Sequence, residues 1–122
     1  MPARFRWPAL ALGALVLAGL GAAGWWLLQP SAEARQLVYS VPAGTAARVA
    51  AGEPVAALPE TITLTLGQRD ILVIQNDDSE PVQIGPFKLE PGQRYTQQYY
   101  NRGSYDLICS VHRSQRLRIV VE

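Results

Sequence analysis

Residues 103–121 read GSYDLICSVHRSQRLRIVV. Tyr105, Leu107 and Cys109 alternate with Asp106 and Ile108, the period of an extended strand whose side chains point to opposite faces. Leu117, Ile119 and Val121 then alternate with Arg116, Arg118 and Val120, which predicts a returning strand. Between the two strands stand the chain's single cysteine and single histidine, Cys109 and His112, at a C-x-x-H spacing. One hairpin mouth therefore carries a thiol and an imidazole, a natural donor pair for a soft or borderline metal. The bland alternative for Cys109 is a small buried hydrophobe on the face shared with Tyr105 and Leu107.

Working outward, the same short-strand grammar continues. Arg94 to Tyr100 predicts a strand that ends at Asn101-Arg102-Gly103. Glu90-Pro91-Gly92-Gln93 fits a type II turn, in which proline sets φ and glycine takes the positive φ. Phe87 to Leu89 and Pro81 to Ile84 are short strands around Gly85-Pro86, and Asn76-Asp77-Asp78-Ser79 is a loop by composition. Ile71 to Ile74 is apolar throughout, as in a strand covered on both faces. Thr61 to Leu66 alternates with Ile62, Leu64 and Leu66 inward, and Gly67 to Asp70 makes the turn between them. Gln36 to Val41 is the first strand. Pro42 to Pro59, rich in Ala, Gly and Pro, reads as a long excursion with one helical turn over Ala46 to Ala51. Seven or eight such strands imply an all-β domain, an antiparallel Greek-key β-sandwich.

Over roughly residues 60 to 122 the chain resembles the cupredoxins, the blue-copper fold family. The likeness is carried by ILVIQNDDSEPVQIGPFKLEPGQRYTQQYYNRGSYDLICSVH: an apolar strand ending in Asn-Asp, a Pro-Gly turn, a Gly-x-Tyr lead-in, then cysteine and histidine. The resemblance implies a copper site built on Cys109 and His112. A blue-copper centre needs two imidazoles and a thiolate, with a weak axial thioether. Where the family places its first histidine this chain has Val82, and where it places its axial methionine this chain has Leu117. The only methionine is Met1. The implied copper set is incomplete by one strong and one weak ligand, and Val82 and Leu117 would seal the hollow with apolar surface.

Asp77, Asp78, Glu80 and Gln83 lie on or beside the loop expected to approach Cys109 and His112. One of them could supply an oxygen donor, as an axial Gln does in some blue-copper sites. Otherwise they are expected to be solvated or paired with Arg113, Arg116 and Arg118. A further alternative is a Cys₂His₂ site shared between two chains, which zinc would also accept. Tyr95, Tyr99, Tyr100 and Tyr105 read as core and strand-surface aromatics.

The chain has 122 residues and a formal charge of +1, with no basic face that would suggest nucleic acid. A lone cysteine excludes an internal disulfide framework. Ala9 to Leu28 carries no charge and is about 20 residues, enough to cross a hydrocarbon core of about 30 Å as a helix. Arg4 and Arg6 precede it, and Trp7, Trp25 and Trp26 sit at its borders, as indoles do at a headgroup layer. The expected organisation is a cytoplasmic N-terminus over 1–8, a transmembrane or signal-anchor helix over 9–28, a linker over 29–36, and a cupredoxin-like domain over 37–122 outside the cytoplasm. Cleavage after Ala34, in the small-x-small run Ala32-Glu33-Ala34, would instead release the domain.

Catalysis is not expected, because the one histidine has no serine or carboxylate context and no paired acids form a cleft pattern. The sequence therefore predicts a membrane-anchored structural or interaction module with an unknown protein partner and an incomplete copper site. The alternative is copper binding or electron transfer through Cys109 and His112 with a non-standard third ligand or a dimeric site.

Overall fold

A computed structural model describes residues 7–55, 58–112 and 114–122, with side chains described from Gly13 onward. The elements in order are α1 (Trp7–Leu28), β1 (Gln36–Val41), α2 (Thr45–Ala50), β2 (Thr61–Leu64), β3 (Ile71–Asn76), β4 (Val82–Ile84), β5 (Phe87–Leu89), β6 (Arg94–Gln98), β7 (Gly103–Ile108) and β8 (Arg116–Val121). Two compact units result, residues 1–30 and residues 31–122.

In the first unit α1 is a 22-residue helix without an acidic first turn or a basic last turn. Its described large side chains, Leu15, Val16, Leu17, Leu20 and Trp25 to Leu28, are exposed. Among the described residues no helix is long and apolar enough to cross a membrane. The span expected over 9–28 lies partly outside the residues whose side chains are described.

The second unit is a β-sandwich assembled from a β1-β3-β6 sheet, a β2-β8-β7 sheet and a β4-β5 hairpin. The expected all-antiparallel arrangement is corrected here. β1 runs parallel to β3, with Gln36 opposite Ile71, and β2 runs parallel to β8, with Thr61 opposite Arg118. The β3–β6, β4–β5 and β7–β8 pairs are antiparallel. Each three-stranded sheet is thus mixed, because strands joined by long excursions return in the same direction rather than by hairpins.

Burial explains the strand positions. Ile71 to Ile74 are all buried, so β3 is covered on both faces as its continuous apolar run predicts. Ile62 and Leu64 in β2 and Leu117, Ile119 and Val121 in β8 turn inward on alternate residues. One buried cluster draws on all three sheets and includes Leu72, Ile74, Ile84, Leu89, Tyr99 and Cys109. β6 ends at Gln98, two residues short of expectation. Tyr99 nonetheless stays tied in, its N–H donating to the Asp70 carbonyl at 2.9 Å. The Pro-Gly turn forms as read: Gly92 has φ +81° and the Gln93 N–H donates to the Glu90 carbonyl at 3.0 Å. The helical turn expected over 46–51 is α2, one residue earlier.

Candidate metal centre

β7 delivers the chain to Cys109 and β8 takes it away from Gln115. The loop between them is closed by its own backbone. The Cys109 N–H donates to the Gln115 carbonyl at 3.0 Å, and the Gln115 N–H donates to the His112 carbonyl at 3.0 Å. Gln115 takes φ +55°, a conformation uncommon for a residue with a side chain, to complete the reversal.

A second clasp holds the β4 edge against this loop. The Gly85 N–H donates to the Ile108 carbonyl at 2.7 Å, the Ser110 N–H to the Gln83 carbonyl at 3.1 Å, and the Gln83 N–H to Ser110 Oγ at 2.9 Å. Ile84 thereby bridges to Cys109. Gly85 permits the approach: its φ is +55°, and a Cβ there would lie 3.3 Å from a Leu107 methyl.

Cys109 is 0% exposed and His112 6% exposed. Burial pushes the Cys109 thiol above the ordinary thiol range, with a smaller opposing pull from the backbone N–H groups of Val111 and His112. His112 Nε2 lies 2.6 Å from the Leu58 carbonyl oxygen. Nδ1 of the same ring is buried with no hydrogen-bond partner. A cleft of about 210 Å³ flanks the ring, with Val49, Leu58, Val111, Glu53 and Glu60 among its lining.

Val82 is 2% exposed and Leu117 0% exposed, and both belong to the buried cluster that contains Cys109. Among the described residues, no three His, Cys, Asp or Glu side chains gather where they could hold a metal ion.

The acidic loop behaves differently from expectation. Asp78 is buried, and its carboxylate accepts from the N–H groups of Gly44 at 2.9 Å, Ala46 at 2.8 Å and Ser79 at 2.8 Å. These bonds, the one from Ala46 foremost, hold it below the ordinary carboxylate range. Asn76 is also buried; its amide donates to the carbonyls of Glu80 and Leu89, and its oxygen accepts the Asp78 N–H. Asp77 is exposed and accepts from the Gln75 amide, and the Gln83 amide donates to the Gly85 carbonyl. The pairing of this loop with Arg118 is corrected: Arg118 binds Asp106 across β7–β8 at 2.8 Å. Arg113 lies outside the described residues.

The contacts of His112 with Leu58 and of Asp78 with the start of α2 were not anticipated. Both span more than 30 residues and engage main-chain atoms, which leave no mark in side-chain pattern. Tyr99 is buried and tilts against Tyr105 with ring centroids 5.1 Å apart, whereas Tyr100 is exposed.

No protein-family model matches the chain, and no curated protein matches it by sequence. Solved structures do. An oxidized proline-to-alanine mutant of amicyanin is 15% identical, covering 75% of this chain and 86% of its own, with a TM-score of 0.50. A purple cupredoxin from Nitrosopumilus maritimus is 20% identical over 70% of this chain and 98% of its own, with a TM-score of 0.49. Amicyanin from Paracoccus versutus is 19% identical over 76% of this chain and 85% of its own, also at 0.49. At these identities the likeness shows the fold alone, and that fold is cupredoxin-like.

Proposed function

We propose that this cupredoxin-like chain is a membrane-tethered, extracytoplasmic domain that keeps the family's sandwich without a type 1 copper centre, and serves as a non-catalytic structural or interaction module. The observation that carries this reading is the burial of Val82 and Leu117 in one cluster with Cys109. Of the four donors a type 1 centre needs, the residues present supply a thiolate and one imidazole, so they do not fit it. A fully buried Val or Leu side chain contributes about 1.5–3 kcal/mol each, so this end of the sandwich is held by packing rather than by coordination.

The tethering rests on α1. Its exposed leucines and tryptophans have no polar face to offset them, and a helix apolar all round needs a non-aqueous partner. Arg4 and Arg6 ahead of it support a cytoplasmic N-terminus under the positive-inside rule. A buried thiol suits an exported chain, because it is shielded from the oxidants met there.

The test is addition of Cu(II) to the full-length protein in detergent micelles. No intense visible thiolate-to-copper absorption is expected, and its appearance would refute the reading. Tethering is checked separately by retention of full-length protein in alkali-washed membranes; release of a chain beginning after Ala34 would show a cleaved signal instead.

A further inference from the structure

β6 is the open edge of its sheet, paired with β3 and with no second strand among the described residues. Two bonds fix the phase of that ladder: the Asn76 N–H donates to the Gln93 carbonyl and the Tyr99 N–H to the Asp70 carbonyl, each at 2.9 Å. Gln93, Tyr95, Gln97 and Tyr99 therefore turn their main-chain groups toward β3, and Arg94, Thr96 and Gln98 turn theirs away from it. On that outer side the N–H and C=O of Arg94 and Thr96 meet no partner among the described residues. The Gln98 carbonyl accepts only from the Gln97 amide, at 2.9 Å.

We propose that this edge is a docking site for an extended acidic segment of another protein, which adds to the sheet as a further strand beside β6. The proposal rests on the interaction-module reading above and gives that module a class of partner. Strand addition uses main-chain bonds for affinity and the neighbouring pockets for choice of side chain. Natural sheet edges are blunted by proline, bulges or inward charges. β6, reading RYTQQ, has no proline and no positive φ.

The surroundings select the partner. A groove of about 440 Å³ runs between β5 and β6, and no residue of the cysteine–histidine loop lines it. Phe87, 52% exposed, and Tyr95, with ring centroids 5.6 Å apart, offer it apolar surface. Lys88 and Arg94 supply positive charge, and no acidic side chain lines it. Lys88 lies 3.5 Å from Glu90 in an exposed pair of little strength, whereas Arg94 enters no ion pair among the described residues. A second copy pairing through β6 would bring no acid to this groove. A phosphate-bearing lipid surface could accept from the outer N–H groups, but its phosphate oxygens could not donate to the carbonyls of Arg94 and Thr96. A peptide strand does both, and its acidic side chains meet Arg94 and Lys88.

The test adds a fluorescein-labelled peptide of alternating Glu and Val to the full chain in detergent micelles at low salt. It reads anisotropy and the backbone amide shifts of Arg94, Thr96 and Gln98. Binding below about 1 mM that weakens as salt rises is expected, and the same peptide with Lys for Glu should not bind. N-methylation of alternate peptide amides should weaken binding at least about tenfold. Thr96→Pro removes an N–H that makes no ladder bond, so it should fold and lose at least about tenfold in peptide affinity. Arg94→Glu should fold and prefer the Lys peptide. The inference is overturned by no binding of the acidic peptide, or by binding indifferent to N-methylation or to Arg94→Glu. It is equally overturned if the three amides shift on doping the micelles with phosphatidylserine, or on concentrating the protein without peptide. A thiolate-to-copper band would refute the copper-free reading and leave the peptide result standing, so the two failures are distinguishable.

Discussion

His112 Nε2 and the carbonyl oxygen of Leu58 lie 2.6 Å apart although 54 residues separate them. The contact joins the cysteine–histidine loop to the end of the excursion that follows α2. It also fixes the tautomer of the only histidine and leaves Nδ1 without a partner. His112→Ala would strand a buried carbonyl and should cost about 1–3 kcal/mol of stability. Denaturant unfolding measures the loss. Hydrogen exchange should locate faster opening around Leu58, and His112→Gln should recover part of both.

Asp78 ties the loop after β3 to the start of α2 through the N–H groups of Gly44 and Ala46. Asp78→Ala removes the acceptor for three backbone donors and should cost about 1–3 kcal/mol.

Acid should act through the same group. The folded pKa of Asp78 is depressed by these bonds, and that of Asp70 is depressed by its bond to Arg35. Each therefore stabilises the fold above the ordinary carboxylate pKa of about 3.9. That stabilisation is lost as pH falls through the lower folded values. Urea midpoints should be flat from neutrality to about pH 5 and fall below about pH 4, with a shallower fall in Asp78→Asn.

Arg35 grips Asp70 with two hydrogen bonds, Nε to Oδ1 at 2.9 Å and Nη2 to Oδ2 at 2.6 Å, and Asp70 also accepts the Gly67 N–H. The Asp70 side chain is 5% exposed and that of Arg35 24%. Arg35→Ala would leave a buried carboxylate short of its cation. A loss of about 2–3 kcal/mol is expected, below the figure for a fully buried pair because water reaches the guanidinium. Asp70→Asn with Arg35→Ala should be less damaging than the sum of the single changes, which a double-mutant cycle would show.

Cys109 should be inert while the domain is folded. It is fully buried and burial raises its thiol pKa, so the thiolate that reacts with alkylating agents is scarce and inaccessible. Labelling by iodoacetamide should be negligible in buffer and follow the unfolding curve in urea. Rapid labelling in buffer would mean that the loop opens.

Much of this was legible because the signals are local. The uniqueness of Cys109 and His112 marked the hairpin mouth, the unbroken apolar run of Ile71 to Ile74 marked a strand buried on both faces, and Pro91-Gly92 marked its turn. The parallel pairing of β1 with β3 and β2 with β8 was not legible, since residue alternation gives a strand's faces and not its neighbour or direction. Asp78 looked like a solvated loop acid for a similar reason. Two of its three partners are backbone amides more than 30 residues upstream, and any sequence supplies those. Val82 and Leu117 were readable as apolar residues expected to seal the hollow at this end, and the folded chain buries both in the cluster of Cys109.

The account turns on what fills the end of the sandwich beside Cys109. One equivalent of Cu(II) should be added in parallel to the full-length protein and to its Val82→His/Leu117→Met variant, and the visible absorption of each compared. The account predicts a colourless parent and a variant with an intense thiolate-to-copper band. A coloured parent, or a folded variant that stays colourless, would contradict it.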